Sequence, residues 1–259
     1  MSYLEFKKSQ PKTQRNSLQT KISVSFSTCF HLTRMRNQFS YRRNLPHWIP
    51  RNATIFVTWR LYGSLPQSCL QELEALRSQL QKQEKPANTD PIDWELRNRK
   101  KIFAMLDRML DQATSGPTWL KAPDIARLVQ EAFIKTYASL YKLWSYAVMS
   151  NHCHALLKPK PIDPSNLQSD PIAFAQITKR LKGYTAREAN KILGRTGLTF
   201  WQDESFDHWI RNQQEFDRVV AYIENNPVKA GLVTRPEDFE WSSASERIRR
   251  GWDSLKPLT

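Results

Sequence analysis

Two apolar runs, residues 143–149 and 152–158, are separated only by Ser150-Asn151. Such a gap holds no crossover, so as strands the two runs must pair antiparallel through a turn or bulge. A third strand is legible at residues 53–61, where Ile55, Val57, Trp59 and Leu61 alternate with Thr54, Phe56, Thr58 and Arg60. Helical periodicity marks 67–84 (Leu70, Leu73, Leu76, Leu80) and 92–112 (Ile102, Phe103, Leu106, Met109, Leu110), the second opened by Asp90 and Pro91 as cap and first helical residue. Further helices are expected over 123–137, over 171–193 with Gly194 as C-terminal cap, and over 213–225, ended by Asn226-Pro227. Residues 200–211 are expected to be extended, and the last 20 residues to dock through Phe239 and Trp241. This order predicts an α+β fold with one antiparallel sheet and helices on one face, rather than a doubly wound parallel sheet. The helical pair is charged outside and apolar inside, which gives it a structural role.

Composition narrows the function. With 39 Lys/Arg against 25 Asp/Glu the formal charge is +14, which makes a polyanion the first partner to test. More than half of that excess lies in residues 1–45, which are rich in Ser, Thr, Gln and Asn and are expected to form a mobile basic arm. Cys29, Cys69 and Cys153 form no CxxC pair, so neither a disulfide scaffold nor a Cys-rich zinc site is indicated. There is no run of about 18 apolar residues for a membrane span and no apolar signal-peptide core, so the expected compartment is cytoplasmic. Neither GxxxxGK[ST] nor GxGxxG occurs, and no nucleotide cofactor is expected.

Two constellations carry chemistry. In His152-Cys153-His154 the two imidazoles stand at i and i+2 of a strand and face the same way, as chelation of a metal requires; Cys153 faces away. The alternative is a pair of interior-strand histidines. On the 171–193 helix, Ile177, Leu181, Tyr184, Glu188 and Ile192 step by three or four and share a face bordered by Lys179, Arg180, Lys182, Arg187, Lys191 and Arg195. A core tyrosine and a solvated basic face are the plain readings. The chemical one joins the parts: a phenol with a pKa near 10 is a poor nucleophile at neutral pH and needs an activated electrophile. A divalent metal on two His and a carboxylate can polarise a phosphodiester, with Glu188 as third ligand and Tyr184 as nucleophile.

Four blocks, YAVMSNHCHALLKP (146–159), LKGYTAREANKILG (181–194), FWQDESFDHWIR (200–211) and YIENNPVKAGLV (222–233), resemble the HUH single-strand DNA transposases with one catalytic tyrosine, in particular the REP-associated tyrosine transposases. RRNLPHW (42–48) and FVTWRLYGSLP (56–66) resemble that branch's N-terminal start. The resemblance covers about residues 42–245, with 64–122 as a helical insertion, 171–194 as the tyrosine helix, 1–41 as an arm and 246–259 as a tail. It implies a ferredoxin-like sheet and Mg²⁺- or Mn²⁺-assisted nicking and joining of single-stranded DNA beside hairpin repeats, by a monomer or homodimer. Carried over by position, His152 and His154 are metal ligands, Tyr184 the nucleophile, and Glu188 stands where related enzymes often have Gln. Arg42, Arg43, His47 and Trp48 are candidates for the single-stranded sequence beside the hairpin, and Lys179, Arg180, Lys182, Arg187 and Lys191 for phosphates. A hairpin-binding protein that keeps the fold without the activity is the competing class.

Overall fold

The computed structural model describes residues 38–42, 46–50, 52–160 and 170–259. The arm expected over 1–41 thus falls outside the described residues except for 38–41, and Arg43 falls outside them as well. Strands β1 (Gln38–Arg42) and β2 (Pro46–Pro50) form a two-stranded antiparallel ribbon, with Tyr41 opposite His47 and Ser40 opposite Trp48. Strand β3 (Ile55–Arg60) follows, then α1 (Gln67–Lys82), α2 (Pro91–Asp111) and α3 (Pro123–Glu131), the last continued by a π turn at Ala132–Thr136. Next come β4 (Tyr141–Val148), β5 (His152–Pro159), α4 (Asp170–Ile192), β6 (Phe206–Trp209), α5 (Gln213–Lys229) and α6 (Ser243–Arg249).

The main sheet has the order β4-β5-β3-β6, with every neighbouring pair antiparallel. Two crossovers, β3 to β4 and β5 to β6, produce this order, which is the ferredoxin-like arrangement. The fold is therefore mixed α+β, as the short gap between β4 and β5 demands.

The expectation of helices on one face is corrected: both faces are covered. Strands β3 and β5 are buried along nearly their whole length on both sides, so neither face can meet water. Ile55, Val57, Trp59, Cys153, Ala155 and Leu157 pack beneath α3 and α4 through Ile125, Val129, Phe174, Ile177 and Leu181. The alternating residues Phe56 and Leu156 pack on the other face against Phe103 of α2 and Val220 and Ile223 of α5.

Local chemistry explains where the covering helices begin and end. Asp90 Oδ1 accepts from the backbone N–H groups of Ile92 and Asp93 and opens α2 with Pro91 in its first turn. Asn212 Oδ1 accepts from Glu215 N and opens α5. Helix α5 does not stop at Asn226-Pro227 but runs through the proline to Lys229. Proline removes one donor, so the Ile223 carbonyl loses its usual i+4 partner. The turn beyond is closed by Ala230 N to Asn226 O and Leu232 N to Pro227 O, both 2.9 Å.

The exposed edge of β4 is covered by the C-terminal segment. Val148 N donates to Trp241 O, Tyr146 N to Ser243 Oγ, and Leu258 N to Leu143 O. An edge strand with satisfied donors and acceptors offers no template for another chain.

Candidate metal and tyrosine site

On β5, His152 and His154 project from the face opposite Cys153, which is buried in the α3–α4 core. The loop between β4 and β5 fixes the first imidazole: Asn151, itself buried, accepts from His152 Nδ1–H at 2.7 Å and donates through Nδ2 to the Leu110 carbonyl at 2.9 Å. Strand β3 fixes the second, because Thr58 lies directly across from His154 and its hydroxyl stands 2.8 Å from His154 Nδ1. The Asn151 oxygen fixes the proton of His152 on Nδ1; when the Thr58 hydroxyl accepts from His154 Nδ1–H in the same way, the two Nε2 lone pairs face each other, 3.1 Å apart. Two nitrogen ligands at about 2.1 Å and a right angle at a metal would stand about 3.0 Å apart. Burial holds His152 well below the usual imidazole range and His154 down to about 4, the nearby Lys229 charge adding to the shift in both and the neighbouring His154 adding to that of His152. Both rings are therefore neutral at pH 7, as metal ligands must be.

The third member of the group comes from the helical insertion. Asp107 of α2 joins the two histidines in a buried cluster whose ligand atoms lie within 4.8 Å of one another, and Asp107 Oδ1 is 3.5 Å from His154 Nε2. Burial pushes the Asp107 pKa up, while His154, Lys229 and the Tyr222 hydroxyl outweigh it and bring the carboxyl below its ordinary value. One turn on, Asp111 Oδ1 lies 4.0 Å from His152 Nε2 and makes no hydrogen bond; burial, together with the charge of Asp107, raises its pKa.

Helix α5 brings Tyr222, Asn226 and Lys229 to this cluster at i, i+4 and i+7. The Tyr222 hydroxyl donates a hydrogen bond to Asp107 Oδ1, and its ring lies 5.5 Å from that of His154. Asn226 is fully buried; its Nδ2 lies 3.3 Å from both His154 Nε2 and Tyr222 Oη, while its Oδ1 has no hydrogen-bond partner. Lys229 Nζ bridges Asp107 Oδ2 at 2.7 Å and Asp111 Oδ2 at 2.8 Å. Burial raises the Tyr222 pKa, and the Asp107 carboxylate raises it further.

The donor set fits a divalent cation: two neutral imidazoles with converging lone pairs, one carboxylate, and two buried oxygens, Asn226 Oδ1 and Asp111 Oδ1, without a donor. Mixed nitrogen and oxygen ligation suits Mn²⁺, and Mg²⁺ with its waters.

The sequence-predicted residues divide sharply. The two histidines share a face as expected. Tyr184 does not join them: it packs with the α3–α4 core on the opposite side of the sheet, edge-on to Tyr137 at 5.9 Å and with Arg187 over its ring at 5.8 Å. Glu188 is tied to Arg187 at 2.7 Å and Lys191 at 2.9 Å and is absent from the metal-capable group, where Asp107 stands instead. The i, i+4 step from Tyr184 to Glu188 is sound helix geometry, but α4 packs on the sheet face opposite the two histidines. Lys182 is held by the carbonyls of Gln202 and Asp203, while Lys179, Arg180, Arg187 and Lys191 are exposed along α4. Arg42, His47 and Trp48 lie on the β1–β2 ribbon. His208 is buried, its Nε2 3.0 Å from Glu215 Oε1. Sequence reasoning missed Asp107, Tyr222, Asn226 and Lys229. Their signals were present: Asp107 and Asp111 repeat at i+4 beside an apolar stripe, and Tyr222-x₃-Asn226-x₂-Lys229 lies within a block already noted.

These observations define the class: an α+β protein with a four-stranded antiparallel sheet and a buried His/His/Asp group able to hold a metal. Neither a family model nor a curated protein sequence matches the chain. Among solved structures, that of a REP-associated tyrosine transposase bound to a REP hairpin aligns over 84% of this chain and 88% of its own, at 19% identity and a TM-score of 0.47. Among the described residues no helix is long and apolar enough to cross a membrane.

Proposed function

We propose that the chain is a metal-dependent single-strand DNA transferase that nicks and rejoins strands beside hairpin repeats through a 5′-phosphotyrosine, with Tyr222 as nucleophile. The observation that carries this reading is the Tyr222 hydroxyl, placed against the one buried group with converging metal-ligand atoms among the described residues. His152, His154 and Asp107 would hold the cation, with the Asn226 amide beside them. A bound Mg²⁺ or Mn²⁺ supplies Lewis-acid polarisation of the phosphodiester. As the Tyr222 oxygen bonds to phosphorus its proton passes across the hydrogen bond to Asp107, the P–O3′ bond breaks, and the 3′ oxygen leaves as a hydroxyl by taking up that same proton through water. Lys229 offsets charge gathering on the phosphoryl oxygens. Rejoining is the reverse, so the bond energy is kept and no nucleoside triphosphate is consumed. We read the site as completed within one chain, in a monomer or in each subunit of a homodimer.

The sequence resemblance supplies the substrate, single-stranded DNA flanking a hairpin. Arg42, Arg43, His47 and Trp48 are proposed to meet the single strand, and exposed Lys179, Arg180, Arg187 and Lys191 the phosphates of the hairpin stem.

The test is trapping of a covalent adduct with hairpin oligonucleotides from the source genome on denaturing gels with Mn²⁺. Wild type and Tyr184→Phe are expected to form the adduct, and Tyr222→Phe and EDTA-treated protein to lose it. An adduct that survives in Tyr222→Phe and vanishes in Tyr184→Phe would reverse the assignment. Tight hairpin binding with no adduct in wild type would leave the binding-protein class.

A further inference from the structure

Beside the metal group, between α1–α2 and the sheet, lies a cavity of about 340 Å³. Its apolar wall is formed by Leu70 and Leu73 of α1 and Ile102, Leu106 and Leu110 of α2, and three guanidiniums, Arg60, Arg77 and Arg99, also line it. Thr58 lines it too, and this hydroxyl is the partner of His154 Nδ1. Arg60 lies directly across β3–β5 from His152. The cavity and the metal group are therefore neighbours on one sheet face, one side chain apart.

The arginines are not equally satisfied. Arg99 is anchored by the Asp207 carbonyl at 2.7 Å and carboxylate at 3.3 Å. Arg60 donates to Ser64 Oγ at 3.3 Å and makes no ion pair among the described residues. Arg77 has a buried Nε with no hydrogen-bond partner and a weak 3.5 Å pairing with the largely exposed Glu74. Burial and the neighbouring Arg77 charge pull the Arg60 pKa below its ordinary value. Two adjacent, under-paired guanidiniums at the wall of a cavity are costly unless an anion sits between them. Carboxylates of Glu74, Glu95 and Glu204 share the lining, so a bare anion gains little there. A nucleotide brings both parts, a phosphate for the arginines and N–H edges for the carboxylates. The volume is in the range of small-molecule sites, and the leucine wall offers an apolar surface for a base.

We propose that this cavity seats one unpaired nucleotide of the DNA strand, its phosphate between Arg60 and Arg77 and its base against the α1–α2 wall, next to the phosphodiester that reaches the metal group. The source of the nucleotide rests on the single-strand reading above; the nucleotide-binding chemistry does not.

The test uses the full chain and two probes, dTMP by calorimetry and fluorescein-labelled (dT)9 by anisotropy. Wild type is expected to bind dTMP, with thymidine at least about tenfold weaker because it lacks the phosphate. Arg60→Gln and Arg77→Gln should each weaken dTMP about tenfold or more while keeping the wild-type circular dichroism spectrum and melting temperature within a few degrees. Arg77 is more exposed, so Arg77→Gln serves if Arg60→Gln misfolds. Saturating dTMP should weaken (dT)9. Absence of dTMP binding at millimolar concentration, or binding that neither variant changes, overturns the proposal. Arginine-dependent dTMP binding with unaltered (dT)9 affinity makes the cavity a free-nucleotide site and overturns its role on the strand. If no adduct forms with any hairpin yet dTMP binding depends on Arg60 and Arg77, the transferase reading fails and the nucleotide seat remains.

Discussion

Replacing Asn151 with alanine isolates what orients the first histidine. Asn151 ends the three-residue link between β4 and β5 and is almost fully buried. It ties the Leu110 carbonyl at the end of α2 to His152 Nδ1. Alanine leaves a buried imidazole N–H without an acceptor, worth about 1–3 kcal/mol, and weakens a carbonyl that keeps a backbone contact from Gln112, worth about 1 kcal/mol. The expected loss is about 2–4 kcal/mol, or roughly 5–15 °C in melting temperature for a chain of this size. The second effect is chemical. Freed of its acceptor, His152 can carry its proton on Nε2, which removes one of the two converging lone pairs. Partners of this kind typically set metal affinity by about 10–100-fold. Urea unfolding and Mn²⁺ titration by calorimetry read the two effects separately. Asn151→Asp should split them: the carboxylate still accepts from His152 and keeps Mn²⁺ affinity near wild type, while the lost donor to Leu110 and the buried charge lower stability. A loss under about 0.5 kcal/mol in Asn151→Ala with unchanged Mn²⁺ affinity would refute the orienting role.

Other outcomes follow from the same structure. Glu215 is held down at about 2: burial opposes this, but Lys100, the Arg211 backbone N–H and His208 outweigh it. Because the folded pKa is depressed, this stabilisation is present above about pH 4.5 and lost as pH falls toward 2, on the order of 2–3 kcal/mol; Glu215→Gln should flatten unfolding curves across that window. Removing residues 257–259 strips the Leu258 and Thr259 bonds from β4 and uncovers part of its edge, so size-exclusion chromatography should show concentration-dependent species larger than the wild-type one. Asp107→Asn should weaken Mn²⁺ binding about tenfold or more, because the carboxylate facing both imidazoles is neutralised.

Three strands and the antiparallel pairing of β4 with β5 were legible because burial leaves period-two marks and because Ser150-Asn151 is too short for anything but a reversal. The second helical layer was harder to see. Phe56 and Leu156 were visible as apolar residues, but nothing local says that the partners above them are α2 and α5, contacts that span tens to more than a hundred residues. Helix α5 was cut short for a related reason: proline is a strong local breaker, and tertiary packing of the buried Pro227 and Asn226 overrides it. That one boundary hid the Tyr222, Asn226 and Lys229 face.

The histidine pair could be read from the sequence because a strand alternates and the geometry is set within three residues. The tyrosine that stands beside the pair could not, since it depends on which of two helices covers the histidine side of the sheet. Both α4 and α5 carry a tyrosine with a polar residue four positions on, so spacing cannot choose between them. Face can: Cys153 and Tyr184 belong to one core, and His154 and Tyr222 to the other. A strand residue and its neighbour never share a face, so any helix that packs on Cys153 is excluded from His152 and His154. The α1–α2 pair completes the argument. It was expected to be structural, yet α2 contributes Asp107, shares Lys229 between two acids, and walls the arginine cavity. Loosening of α2 is therefore expected to disable the site even though the sheet and both histidines stay in place. Leu110→Ala, which removes a buried anchor one residue from Asp111 at a cost of about 2–5 kcal/mol, should lower Mn²⁺ affinity and, on the reading proposed above, adduct yield together. Loss of stability alone, with both left intact, would sever α2 from the chemistry.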